Sequence, residues 1–235
     1  MNNVPDVDMA VFRRSMPNEI SNSNVVLIDT HNFTTTSIEA LNNGANEIVP
    51  LTSVKGGVSN RITMIAGDEN QKIKNHPKYM NEENVKNQII GIDSWNGSSC
   101  VHEIRGLINK NVNVYLGSLT NAPSVAMKLQ NQSQPVLFVL AGSDANVPPE
   151  DVLTMQCIYN CLYSDSEKLN LIVKFYEQLY NLTVYEVYDN MYDDKNKLGA
   201  FGRPVKHATK TASQVGSQVI VPMMNNNGGF EIQDN

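Results

Sequence analysis

The sequence predicts a three-layer α/β/α domain built on a largely parallel or mixed sheet. Two observations carry this. Continuous apolar runs of strand length recur, such as Val25-Val26-Leu27-Ile28 and Val136-Leu137-Phe138-Val139-Leu140, and they alternate with segments of helical period. A strand that is apolar at every position is buried on both faces, as in a sheet covered by helices on both sides. A third observation concerns function: several of these runs end in Asp, Ser, Thr or Gly, where open α/β sheets receive ligands.

Residues 24–29 form the clearest strand, and a helix follows over the segment carrying Ile38, Ala40 and Leu41. One of Thr34, Thr35 and Thr36 is suited to cap that helix, and Asn43-Gly44 to stop it. Residues 47–51, 61–66, 89–93, 112–116 and 134–141 read as further strands. Helices are expected over 101–108, over 123–129 with Pro123 in the first turn, and from Pro148 or Pro149 onward. The stretch 152–180 is helical by period, broken near Ser164-Asp165-Ser166, and Leu169, Ile172, Phe175 and Leu179 are core positions within it. Val219-Ile220-Val221 is the last apolar element. The expected organisation is one domain over residues 1–235, divisible into two subdomains, with 223–235 as a mobile tail.

The chain has 235 residues, 41% of them apolar, enough for a sizeable core. Its 18 basic and 24 acidic residues lack the basic excess of a broad nucleic-acid footprint, so no nucleic-acid partner is expected. A small anion is still admissible, because backbone amides at a helix start hold phosphate without net positive charge. The start carries acids and a proline rather than a basic segment followed by an apolar one, and no later stretch is long enough to span a bilayer. Cys100, Cys157 and Cys161 form no dense framework, which fits a reducing compartment, and a cytoplasmic location is expected. Cys157 and Cys161, four apart, share a helix face as small apolar residues.

Four strand ends carry candidate chemistry. Asp29 follows the first apolar run; a carboxylate there can bind a hard cation or orient water, or simply cap a turn. Thr34, Thr35 and Thr36 offer hydroxyls to an anion or to the helix start. Asp68, with Gly67 and Glu69, is a second acid for magnesium or an exposed turn acid. In the third, Asp93 to Ser99, the turn Asn96-Gly97-Ser98 offers hydroxyls and exposed amides suited to phosphate. The fourth is Ala141-Gly142-Ser143-Asp144 followed by Glu150 and Asp151, acids favoured in a first helical turn and available to a metal. His31 stands two residues past Asp29, where it can act as acid or base, and Arg203 follows Gly202 in a loop where it can meet an anion.

The ordered set of motifs resembles the 2-phosphosulfolactate phosphatase family. That family has a strand followed by Asp-Val-Leu-Arg-Ala-Thr-Thr-Thr; here Val26-Leu27-Ile28 precedes Asp29-Thr30-His31-Asn32-Phe33-Thr34-Thr35-Thr36. Gly67-Asp68-Glu69 resembles its Gly-Glu-Arg segment, and Asp93-Ser94-Trp95-Asn96-Gly97-Ser98 its Thr-Thr-Thr-Asn-Gly-Thr motif. Leu116-Gly117-Ser118, Ala141-Gly142 with Glu150-Asp151, Gly202-Arg203 and Val221-Pro222 follow in the family's order. Two positions depart from it: Asn32 stands where arginine is common, and Glu69 where a basic residue is usual. The Gly-Phe-Asp-Leu-Gly-Asn-Ser-Pro segment is replaced by the shorter region from Lys72 to Met80.

The resemblance implies magnesium-dependent hydrolysis of a small phosphate ester and a homo-oligomer, most simply a homodimer. Taken with the local reading of the strand ends, which supplies His31, it places Asp29, His31 and Glu150 in catalysis, and Thr34, Thr35, Thr36, Asn96, Gly97, Ser98 and Arg203 on the substrate. Asp29, Asp68, Glu150 and Asp151 become the magnesium ligands, with a small phosphate-containing or other anionic molecule as the partner. The altered basic positions motivate a competing reading, a catalytically altered or inactive module of the same fold that binds a ligand or another protein.

Overall fold

The computed structural model describes residues 5–10, 15–52, 59–67, 71, 73–142, 149–163, 211 and 214–233. They form a mixed α/β domain in which a ten-stranded sheet is flanked by helices. The strands are β1 (Val7–Ala10), β2 (Ile20–Ile28), β3 (Glu47–Leu51), β4 (Met64–Gly67), β5 (Ile73–Lys74), β6 (Ile89–Asp93), β7 (Ile108–Gly117), β8 (Val136–Leu140), β9 (Met223–Met224) and β10 (Phe230–Glu231). The helices are α1 (Phe33–Asn42), α2 (Glu82–Val85), α3 (Gly97–Leu107), α4 (Ala122–Gln130) and α5 (Pro149–Leu162).

The strand order is β1-β8-β2-β7-β9-β10-β3-β6-β4-β5. Four strands, β1, β8, β2 and β7, pair in parallel, as do β3, β6, β4 and β5. The antiparallel hairpin β9–β10 joins the two blocks, bonding to β7 on one side and to β3 on the other. Three successive antiparallel pairings mean that the two parallel blocks run in opposite directions.

The apolar run of β2 is buried on both faces, as its composition requires. Val25 and Leu27 pack into one core cluster with Phe33, Ile38 and Leu41 of α1 and Val101 and Ile104 of α3. Val26 and Ile28 face the other cluster, with Val125 and Leu129 of α4 and Val152, Met155 and Ile158 of α5. Each such side chain contributes about 1.5–3 kcal/mol of hydrophobic stabilisation. The α1 helix ends where the sequence places its stop: Gly44 adopts φ +93°, a left-handed conformation that glycine takes without Cβ strain.

Several elements differ from expectation: β2, β7 and α3 begin earlier, at Ile20, Ile108 and Gly97, β4 begins later, at Met64, and β5 and α2 are additions. The segment 223–231, expected within a tail, pairs as β9 and β10, and Phe230 is fully buried against Phe33 at a ring-centroid distance of 6.2 Å. Two-residue strands carry too little pattern to be read from sequence; tertiary pairing makes them. β1, over Val7–Ala10, lies in a stretch rich in acids, and pairing with β8 supplies its order. The helix start at Phe33 uses Asn32 as its cap position, with no side-chain capping bond, so none of the three threonines is the cap. Leu169, Ile172, Phe175 and Leu179 lie outside the described residues.

Candidate active site

Asp29 follows β2 and Ser94 follows β6, and the two strands stand five steps apart in the sheet order. A flat ladder would separate them by roughly 24 Å. Instead the Ser94 hydroxyl donates to Asp29 Oδ2 at 3.5 Å. The carboxyl ends of strands from both blocks therefore meet beside α1 and α3. Gly97, the first residue of α3, makes this approach possible: a Cβ there would stand 2.3 Å from Cβ of Phe33 and 2.5 Å from Asp29 Oδ2.

The site's centre is a row of acids with one imidazole. Asp29 is buried, and Oδ2 accepts the amide N–H of Phe33 at 3.4 Å from the first turn of α1. Burial pushes its carboxyl up to about 6; the Phe33 amide opposes this, the Glu150 charge adds to it, and His31 and Ser94 act against it. His31 Nδ1 lies 3.2 Å from Glu150 Oε1, the two side chains being 15% and 20% exposed. Burial alone would push the imidazole down, but the bond to Glu150 and the charges of Glu150 and Asp29 hold it above its ordinary value. Burial likewise opposes the Glu150 carboxylate, and His31 holds it below the usual range. His31 and Glu150 are thus a mutually stabilised pair beside a carboxyl that burial pushes up to about 6.

Asp151 is a different kind of acid. Its Oδ1 accepts the Thr30 amide at 2.8 Å, and the Thr30 hydroxyl reaches Thr154 Oγ1 at 2.7 Å and the Glu150 carbonyl at 3.3 Å. Burial, then the charges of Glu150 and Asp29, hold the Asp151 carboxyl well above the ordinary range. These bonds fix the first turn of α5 against the end of β2 and so place Glu150 at His31. The spacing of 121 residues between Thr30 and Asp151 is why sequence reasoning missed Thr30 and Thr154.

The three threonines sit at the same strand end but turn largely inward. Thr34 donates its hydroxyl to the Asp29 carbonyl at 2.9 Å, and Thr35 bonds the Thr30 carbonyl and, at 2.6 Å, Ser118 Oγ. Hydroxyls early in a helix commonly return to nearby backbone in this way. Thr36 Oγ1 is buried without a hydrogen-bond partner, as is Asn96 Oδ1 at the cap position of α3. Ser98 donates to the Ile92 carbonyl at 2.7 Å. The structure thus brings Asp29, His31, Glu150, Asp151, Gly97 and the threonines to one region, with Ser94, Thr30 and Ser118 as further members. Asp68, Glu69, Ser143, Asp144 and Arg203 lie outside the described residues. Gly67 stands at the Asp93 strand end, since a Cβ on it would lie 3.2 Å from Cβ of Asp93.

Among the described residues no group of three or more His, Cys, Asp or Glu side chains has an arrangement that could hold a metal ion. Magnesium asks for less, since it keeps several waters and takes one or two carboxylates with a substrate phosphate. Asp29 and Glu150 supply hard oxygen donors whose mutual repulsion a cation would relieve, so the donor set fits the ion.

A strand-end acid cluster on an α/β sheet, with amides and hydroxyls at two helix starts, defines the class of site. The family is then given by comparison: the model of 2-phosphosulpholactate phosphatase matches residues 11–227. The chain belongs to the 2-phosphosulfolactate phosphatase family. A probable 2-phosphosulfolactate phosphatase of Clostridium tetani is 29% identical over 190 residues, 75% of this chain and 80% of that protein. One of Caldanaerobacter subterraneus subsp. tengcongensis is 29% identical over 185 residues, 72% and 75% of the two chains. One of Clostridium novyi is 25% identical over 173 residues, covering 68% and 72%.

Proposed function

We propose that the protein hydrolyses a small phosphate monoester with the help of magnesium. The observation that carries this is the His31–Glu150 ion pair set beside Asp29, whose carboxyl is pushed up to about 6. A carboxyl poised there is ionised at pH 7 yet basic enough to take a proton, and an imidazolium held by a carboxylate can give one up.

In the proposed reaction Asp29 orients a water and takes its proton as the water oxygen bonds to phosphorus. The ester P–O bond breaks, and His31, held through Nδ1 by Glu150, donates the Nε2 proton to the departing alkoxide. Inorganic phosphate and an alcohol result, and both side chains return to their starting states by exchange with solvent. The amides of the Asn96-Gly97-Ser98 turn at the start of α3 receive phosphate oxygens, as helix starts do for anions. Asp29 and Glu150 are the residues that would hold magnesium, which when bound neutralises phosphate charge and lowers the pKa of a bound water. The finer features of the family reading, a three-layer α/β/α form, a cytoplasmic homodimer and a role for Asp68 and Arg203, are part of the same proposal.

Phosphate release from a panel of esters, each measured with magnesium and with chelator, tests the reading. Turnover that requires magnesium is the expected result. A folded protein that releases no phosphate from any ester would favour the ligand-binding alternative.

A further inference from the structure

Phe33 touches both halves of the site. Its amide N–H donates to Asp29 Oδ2 at 3.4 Å. A Cβ on Gly97 would come within 2.3 and 2.6 Å of its Cβ and Cγ, so the same side chain fixes how close the start of α3 lies to the Asp29 carboxylate. The cap residue Asn32 makes no side-chain capping bond. Packing of the Phe33 ring completes the hold that Thr34 and Thr35 give this turn.

The ring packs against Phe230, edge to face, with centroids 6.2 Å apart and planes at 72°. Both rings are fully buried. Phe230 belongs to β10, and its place is set away from the site: it registers with Ile48 of β3 and Met224 of β9. Asn225 fixes the hairpin turn, donating to Glu47 Oε1 at 2.9 Å and accepting the Gly229 amide at 3.0 Å. The turn also meets α3. A Cβ on Gly228 would lie 2.3 Å from Cζ of Arg105, so the guanidinium rests on that glycine. The hairpin therefore touches both helices whose starts enclose Asp29, one through Phe33 and the other through Arg105. In a close-packed interior such contacts transmit displacement, because no free volume absorbs it. Without the Phe230 ring, Phe33 is free to shift, and the amide that Asp29 accepts shifts with it. An acid that must orient a reacting water loses rate steeply with small displacements.

We propose that Phe230 is a positioning residue for the reaction: through its ring and Phe33, the β9–β10 hairpin holds the α1 and α3 starts at the separation at which Asp29 acts. This rests on the phosphatase reading above, and the measurements let the two fail separately. Turnover with magnesium is measured on p-nitrophenyl phosphate, or on the fastest ester of the panel if that one is not used. In F230L kcat falls roughly tenfold with KM within about twofold of native. L129A, which opens a cavity in the other core cluster, unfolds at lower urea yet keeps kcat within about twofold. A kcat for F230L no lower than that of L129A, or a fall carried by KM alone, overturns the inference and leaves the phosphatase reading standing. If the native protein turns over no ester, the phosphatase reading fails and amide hydrogen exchange decides the inference. The segments 29–34 and 94–98 then exchange about tenfold faster in F230L while 122–130 keeps its native rate; uniform acceleration, or none, overturns it. Should F230L not fold, N225A, which frees the turn without emptying the core, is held to the same outcomes.

Discussion

The chemical role proposed for Asp29 comes with a cost. Its carboxyl is raised from 3.8 in the unfolded chain to about 6 in the fold, chiefly by burial. Between these values the folded state holds the proton more tightly, so this group's contribution to stability falls as pH rises from about 4 to about 6 and stays low above it. Asp29→Asn keeps an acceptor for the Phe33 amide and removes the buried charge. In metal-free protein the variant gains stability at pH 7, on the order of 1–3 kcal/mol, and gains little at pH 4; thermal melts at the two pH values check this. The Glu150 partner gives a second outcome. Glu150 raises the His31 imidazolium, so in Glu150→Gln His31 loses its proton at lower pH, and the alkaline limb of the kcat/KM profile moves down. A profile that falls in height with both limbs fixed would remove His31 from the proton-donor role.

At the scale of elements, the site depends on how closely α3 can approach α1. Gly97 is the contact point, and its missing Cβ is filled by Phe33 and Asp29. Gly97→Ala must push the two helix starts apart. A loss of about 1–3 kcal/mol follows from such overpacking, read as a lower midpoint in urea unfolding, together with a loss of turnover larger than that from a remote variant of equal stability. Much of this level was legible beforehand. The bounds of β3 and β6 follow from Glu47-Ile48-Val49 and Ile89-Ile90-Gly91-Ile92, and the start of α5 from its prolines. The bonds that assemble the site were not legible. Thr30 to Asp151 and Asp29 to Ser94 are long-range contacts between side chains that each have an ordinary local use in turns or caps. Local pattern names such residues as candidates and says nothing of which meet.

For the whole molecule, the central feature is one sheet made of two oppositely directed parallel blocks, joined by a hairpin from the far end of the chain. Glu47 anchors that joint: Arg61 bonds Oε2 at 2.6 Å, and Asn225 donates to Oε1 at 2.9 Å. Two-residue strands at 223–224 and 230–231 could not be read from an asparagine- and glycine-rich stretch, because their order comes from β7 and β3 on either side. The β2 and β6 ends, from opposite blocks, meet at Asp29, Ser94 and Gly97, so the composite site is a property of the complete fold. The most direct test is phosphate release at pH 7.5 by the native protein and by Asp29→Asn, each with magnesium and with chelator. Magnesium-dependent release by the native protein, reduced at least about a hundredfold in Asp29→Asn while that variant melts no lower, is the predicted result. Equal release by the two proteins, or none from a folded native protein across chemically varied esters, would contradict it.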